Sequence, residues 1–395
     1  MRKKKTWIKV GVLSIILLGF AYRWFSIQIL PIDYDEDDYL AAAQRYAHAI
    51  KAHDFNSVIN YSYNFEHPPL SKLLYGAAIT LIPDAPLIPE TTSTLPPAKS
   101  LPVLQFQFAR MVSAGLGTLQ VIALALFNPL AGLFLAIESW HVKYTSQIML
   151  EPLPSFMSLL AVLFYLRSKK SGIIWVFLSA FALGITAASK FTYCIAGVAI
   201  AIDWLSISYP TTSGRDPKGI LKWMAPVILW GTLSILVFFA VNPRMWSEPF
   251  LRLKETILYH GSYAESAHVK EAGLPFWQPL VWLLNPATFN GNPSLMPTDA
   301  IIAILAIFGL RRMGARNSVF TWWLVIGIGF LMIWPTKWPQ YILTISAPHC
   351  VAASRGFSEF LWNPAKELFS RLGKFEKSES GPVGRSRFWK DSKRA

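Results

Sequence analysis

The sequence predicts an all-α polytopic membrane protein, and three observations predict it. Hydrophobic residues make up 53% of the 395-residue chain and charged residues only 15%, against roughly 25% charged in soluble domains. Mean hydropathy is +0.36. The apolar residues gather in runs near the roughly 20 residues that a membrane-crossing helix needs. The 37 Lys and Arg lie mostly in short segments between those runs. The formal charge of +14 therefore reads as a topology signal and not as a nucleic-acid footprint, because the aromatics fall in the spans and not in a basic groove.

Ten candidate spans follow in order: residues 8–30, 104–126, 129–148, 152–167, 172–188, 191–208, 221–241, 298–311, 319–334 and 340–354. The first follows Met1-Arg-Lys-Lys-Lys, carries Arg23 and lacks a small-residue cleavage site, so it reads as a retained span and not a signal peptide. The stretch 129–148 is the weakest, because it holds Glu138, His141 and Lys143. With the N-terminus inside, the inside loops are 168–170, 209–220, 311–316 and the tail from Arg355, and each is basic. This places both termini on the cytoplasmic face of the cell membrane. Residues 1–355 form one membrane domain, and 356–395 form a basic cytoplasmic tail.

Two long segments, 31–103 and 242–297, fall outside. In the first, apolar residues at helical spacing predict an amphipathic helix from about Asp38 to Ala52. A second short helix starts at Pro68-Pro69, since proline suits a first helical turn. The Pro- and Thr-rich stretch 82–102 is loop. The segment 242–297, rich in Trp, Pro and His, reads as a lid or interfacial region. Cys194 and Cys350 lie inside apolar runs with no Cys-x-x-Cys spacing, and read as packing residues.

The chemistry-bearing residues gather on the outer side. Asp33, Asp35, Glu36, Asp37 and Asp38 put five acids into six residues. Acids favour a helix start through capping and the helix dipole, but five exceed what one helix start needs. Such a cluster suits a metal or a carboxylate base whose neighbours tune it. A calcium loop is excluded, because Asp38 and Gln44 stand where it needs Gly and Glu. Glu66 and His67 precede the two prolines and are residue types that ligate metal. His260 and His268 in the second outer segment are further candidates beside them. Arg23, Arg110, Glu138, His141, Lys143, Glu151 and Lys190 are ionisable residues within or at the ends of spans, where charge is costly and is functional or paired. Lys190 and Lys337, with aromatic neighbours such as Tyr341, suit a lipid phosphate at the headgroup level.

These stretches resemble a known superfamily, the polyprenyl-phosphate-sugar glycosyltransferases with the GT-C fold, which include protein O-mannosyltransferases and aminoarabinose transferases of lipid A. Asp35-Glu36-Asp37-Asp38-Tyr39 looks like the family's Asp-Glu-x-x-Tyr. Residues 66–74, beginning Glu66-His67-Pro68-Pro69-Leu70, look like its His-Pro-Pro-Leu-x-Lys-Leu-Leu. The run from Tyr144 to Glu151 resembles the later motif that ends in an acid, and residues 187–192 resemble the Lys-containing turn. The resemblance covers residues 8–355 in layout. It implies about ten transmembrane helices and an inverting transfer of a hexose or pentose from a polyprenyl phosphate to an extracytoplasmic glycolipid, polysaccharide or protein. It also implies roles. Asp35 is the base, Glu36 assists and Glu151 is a second acid near the donor. Lys190, Lys337 and Tyr341 hold the donor phosphate. A divalent metal on Glu66, His67 and His260 is the one cofactor it implies. The segment 242–297 is too short for the sugar-binding insert of the mannosyltransferases. The competing reading is a transporter or lipid flippase, which would show two related halves; no such halves are visible.

Overall fold

An arginine carried into an apolar layer needs partners, and Arg23 has them. In the computed structural model, which describes residues 2–90, 101–208, 217–289, 292–293, 297–313 and 318–363, Arg23 is fully buried in α1 (Arg2–Ile29). It donates from Nε to Thr145 Oγ1 at 2.9 Å and from NH1 to the Gly19 carbonyl at 2.9 Å, and its NH2 meets His141 Nδ1 at 2.5 Å. Nδ1 must accept there, so the imidazole proton sits on Nε2 and points at Gln120 Oε1, 2.7 Å away. This polar knot ties α1 to α5 (Val103–Phe127) and to the short α7 (Ser139–Tyr144).

The first outer segment folds as α2 (Glu36–Lys51), α3 (Phe55–Asn60) and α4 (Leu70–Ile79). The two predicted helices are present; α3, six residues capped by Asp54, is additional. Residues 91–100 of the predicted loop lie outside the described residues.

The expected span 129–148 is broken. It runs as α6 (Pro129–Ile137), an extended residue at Glu138, α7, and a turn-rich stretch to Glu151. Backbone groups freed inside a membrane need partners, and side chains provide them. The Ser139 N–H donates to Asp299 Oδ1 at 3.0 Å, and the Ile148 N–H donates to Glu36 Oε1 at 2.7 Å.

The remaining helices are α8 (Pro152–Ser171), α9 (Ile174–Ser189), α10 (Ile195–Ser208) and α11 (Pro217–Ala240). After them, α12 (Pro249–Ala264), α13 (Ala267–Ala272) and α14 (Gln278–Leu284) occupy the second outer segment. A two-residue antiparallel ladder pairs Thr288 with Pro293 and Phe289 with Asn292. Then come α15 (Asp299–Leu310), α16 (Ser318–Ile333) and α17 (Leu343–Phe357). Five residues of π-helix, Ser358–Trp362, extend α17 beyond the expected start of the tail, of which residues 364–395 lie outside the described residues.

Lys9–Ile29, Val103–Phe127 and Trp223–Ala240 are long and apolar enough to cross a membrane alone. The shorter apolar helices gain length from neighbours: a 3-10 turn, Phe191–Cys194, precedes α10, and another, Pro339–Ile342, precedes α17. Leu13, Leu17 and Phe20 of α1, Leu229, Ile235 and Leu236 of α11 and Ile301, Ile304 and Ile307 of α15 are exposed. Apolar surface of that extent suits lipid and not water. The protein is a membrane protein.

Two features set α17 among its neighbours. Gly309 and Gly356 let α15 and α17 approach so closely that a Cβ on either would run into the carbonyl of Ala352 or Leu305. Pro348 lacks the N–H that would bond the Thr344 carbonyl, and the Trp323 indole fills the gap at 2.9 Å.

Candidate active site

The acidic stretch separates into unlike residues. Glu36 is fully buried, and every bond it can make is made. Arg110 clamps it through Nε at 2.8 Å and NH2 at 2.5 Å, and the backbone N–H groups of Asp33 and Ile148 donate to its two oxygens. Arg110 also donates to the carbonyls of Ile27, Leu30 and Pro31. Glu36 is therefore the latch that joins the end of α1 to α2, α5 and the 145–151 turn. Asp38 accepts from the Tyr63 hydroxyl at 2.5 Å, Asp37 from the Asp38 N–H at 3.0 Å, and Asp33 pairs with Lys143 at 3.5 Å.

Asp35 differs from all of these. It holds the N-cap position of α2, yet its side chain caps nothing. Its nearest partner is the Tyr39 hydroxyl, at a weak 3.4 Å. Burial first, then the charges of Asp33, Glu151 and Asp38, push its carboxyl up to about 7, and Lys190 pulls against them. A carboxyl in that range exchanges its proton near neutral pH.

Facing it are Glu151 and Lys190. Glu151 ends the 145–151 turn ahead of Pro152, and Lys190 sits in extended backbone where α9 stops. The two side chains are buried and in direct contact. Lys190 lies 5.1 Å from the centre of the Tyr341 ring. Burial works against the Lys190 charge, but Glu151, Tyr341 and Asp35 outweigh it and raise the ammonium. Among the described residues, Glu151 Oε2, Thr192 Oγ1 and the Tyr193 hydroxyl are buried with no protein partner. Unpaired buried polar atoms are costly, and these three lie on Glu151 or within three residues of Lys190 in the chain.

Glu66, His67 and His260 come together. The two imidazoles are 5.7 Å apart centre to centre, and burial holds both below their ordinary range. The Glu66 carboxylate, however, accepts from Asn64 Nδ2 at 2.7 Å, and His260 Nε2 lies 3.1 Å from the Glu66 carbonyl. Among the described residues, the one group of three ligand-type side chains whose donor atoms lie within 4.8 Å of one another is Glu138, His349 and Cys350. Lys72, buried, closes the turn ahead of α4 by donating to the carbonyls of Asn64 and His67.

Lys337 does not join Lys190. It turns to the Trp334 carbonyl and lies beside Val269, Ala272 and Leu274. His268 stacks on Trp338 at 5.1 Å and faces Tyr34 at 6.4 Å, so α12 and α13 fold back over the first outer segment, as a lid would.

Sequence reasoning missed Asn242 and Arg244. Asn242 is fully buried with neither side-chain atom partnered, and Arg244 lies 4.9 Å over Phe65 with Nε unpartnered. The signal was an amide and an arginine, Asn242-Pro243-Arg244, at the outer end of an apolar run. Beside the site, an apolar groove of about 430 Å³ is lined by Leu70, Leu73, Leu74, Leu153 and Ile185. These stand in α4, α8 and α9, the helices that border His67, Glu151 and Lys190.

No protein-family model and no curated protein matches this chain. Solved structures do. ArnT from Cupriavidus metallidurans bound to undecaprenyl phosphate overlays with a TM-score of 0.58 at 15% identity, over 94% of this chain and 64% of that one. The same protein in its apo state overlays at 0.56 and 14%, over 95% and 64%. The chain thus spans about 64% of ArnT's length. At this identity the overlay shows the fold: the chain has the GT-C fold that its motifs resemble.

Proposed function

We propose that the protein is a membrane glycosyltransferase that takes a sugar from a polyprenyl phosphate and passes it to an extracytoplasmic acceptor. The observation that carries this reading is the buried Lys190–Glu151 pair, with unpartnered polar atoms around it, facing Asp35 beside an apolar groove. The groove suits isoprenoid units, whose burial contributes about 0.8 kcal/mol per methylene. Lys190, with the hydroxyls of Thr192 and Tyr193, suits the phosphate at the head of such a chain. The overlay with ArnT, which binds undecaprenyl phosphate, supports the same donor class.

The chemistry follows from the two charges. Asp35 accepts the proton of an acceptor hydroxyl as its oxygen bonds to the anomeric carbon. The bond from that carbon to the phosphate oxygen breaks, and the electron pair leaves on a phosphate held by Lys190. Attack and departure on opposite faces invert the anomeric centre, for a hexose or a pentose alike. Glu151 keeps one oxygen on Lys190 and offers the other to the sugar. Glu36 acts through the backbone it latches, as a positioning residue. Glu66, His67 and His260 are the residues that would hold a divalent metal, and no step here is routed through it.

On this reading residues 1–355 are the catalytic membrane domain, segments 31–103 and 242–297 cover its outer face, and both termini and the basic tail 356–395 are cytoplasmic. Asp35→Asn tests the assignment in proteoliposomes given a labelled polyprenyl-phosphate sugar. Transfer should fall about 10²- to 10⁴-fold with insertion unchanged. Full turnover in that variant would remove Asp35 as the base. Accumulation of label across the membrane without glycosyl product would favour a transporter.

A further inference from the structure

Glu138, His349 and Cys350 take no part in the site described above, and they present a second chemistry. Glu138 is the extended residue between α6 and α7, and its carboxylate meets His349 and Cys350, which follow Pro348 in α17. All three are buried, at 2%, 3% and 0% exposure. His349 Nδ1 lies 3.3 Å from Glu138 Oε1, and the donor atoms of all three residues lie within 4.8 Å of one another. Two ligands at zinc's usual bond length of about 2.0–2.1 Å and the tetrahedral angle stand about 3.4 Å apart. Asp299, at the start of α15, is tied to the same break: its Oδ1 accepts from the N–H of Ser139, the residue after Glu138.

A hydrogen-bonded pair alone does not account for this cluster. Glu138 Oε2, His349 Nε2 and Asp299 Oδ2 are buried and have no protein partner among the described residues. An imidazolium would leave one N–H donor unmet. A neutral imidazole would still leave Glu138 Oε2 without a donor, because Arg23 gives its own to Thr145, Gly19 and His141. A divalent cation removes both problems. With the thiol deprotonated and the imidazole neutral, two negative ligands and one dication sum to zero, the charge state an apolar interior tolerates best. The donor set of sulfur, nitrogen and oxygen selects zinc over magnesium or calcium, which take oxygen alone.

We infer that Glu138, His349 and Cys350 hold a zinc ion inside the helix bundle. It would pin the break between α6 and α7 to α17, and so fix the 145–151 turn that carries Glu151.

The test is metal analysis of the purified full-length protein, followed by chelation and reloading with cobalt(II). Zinc at about one ion per chain is expected. On cobalt, a thiolate-to-cobalt charge-transfer band should appear, be lost in Cys350→Ser and persist in His260→Ala. The band separates this site from the Glu66, His67 and His260 group, which has no thiolate. Its appearance is read on the natural chain, and the two variants assign it. Trace metal together with no such band would overturn the inference, as would a band that survives in Cys350→Ser.

Discussion

Asp35 and Glu36 are adjacent in the chain and opposite in environment. Glu36 spends both oxygens on Arg110 and two backbone N–H groups, whereas Asp35 has one weak partner at 3.4 Å. That contrast carries a pH prediction. A base works only when deprotonated, and burial with neighbouring acids pushes Asp35 up to about 7. Transfer measured as kcat/KM should therefore be flat above about pH 7 and fall about tenfold per unit below it. The same shift has a sign in stability. Protonated Asp35 is the form the fold favours, so the contribution is full below the ordinary carboxylate range and lost as pH rises through about 7. Asp35→Asn should then melt higher than the natural protein at pH 8, while losing transfer. An acid limb at the ordinary carboxylate pKa, or a lower melting temperature for Asp35→Asn, would count against this account. At this scale the sequence supplied residue types and little geometry. Five acids in six residues were visible as a cluster, but which of them is latched depends on Arg110, 74 positions away in sequence. Neither the pairing of Lys190 with Glu151 nor the turning of Lys337 to the Trp334 carbonyl was legible, because loops set the direction of a side chain and composition does not.

Elements show where pattern reading works and where it stops. Nine of the ten expected spans appear as helices within a few residues, because long apolar runs leave the backbone few alternatives in lipid. The stretch 129–148 fails as a single helix because side chains from elsewhere, Glu36 and Asp299, accept the N–H groups that a continuous helix would have used internally. No local signal reports a partner more than a hundred residues distant. This gives Glu36 and Arg110 a mechanical role that can be measured. Arg110→Met leaves the Glu36 carboxylate buried and unpaired, and should cost about 3–5 kcal/mol, read as a lower melting temperature in detergent. The double variant Arg110→Met with Glu36→Gln removes both charges and should recover part of that loss. If the double variant is no more stable than Arg110→Met alone, the pair is not coupled as the geometry has it.

At the scale of the whole molecule, Asp35, Glu66, Glu151, Lys190, His260 and Tyr341 gather at one end of the bundle although they come from six separate stretches of chain. The lipid-linked donor we propose would account for that gathering, since its phosphate lies at the headgroup level and its tail in the hydrocarbon. The broken segment still runs from Asn128, bonded to Ser354, to Glu151 beside Lys190, so it crosses the bundle as an unbroken span would. By the positive-inside rule the basic segments 168–170, 209–220 and 311–316 are expected inside, which would put the site outside. Two introduced cysteines, each in a background that lacks Cys194 and keeps only the buried Cys350, decide the matter. Tyr34→Cys, next to Asp35, should react with an impermeant maleimide added to intact cells. Gly214→Cys, in the expected inside loop 209–220, should react only after permeabilisation. Residue 34 is half exposed, so silence there would not come from burial. Labelling of position 34 from the cytoplasmic side alone would invert the topology and, with it, the leaflet in which the donor must be presented.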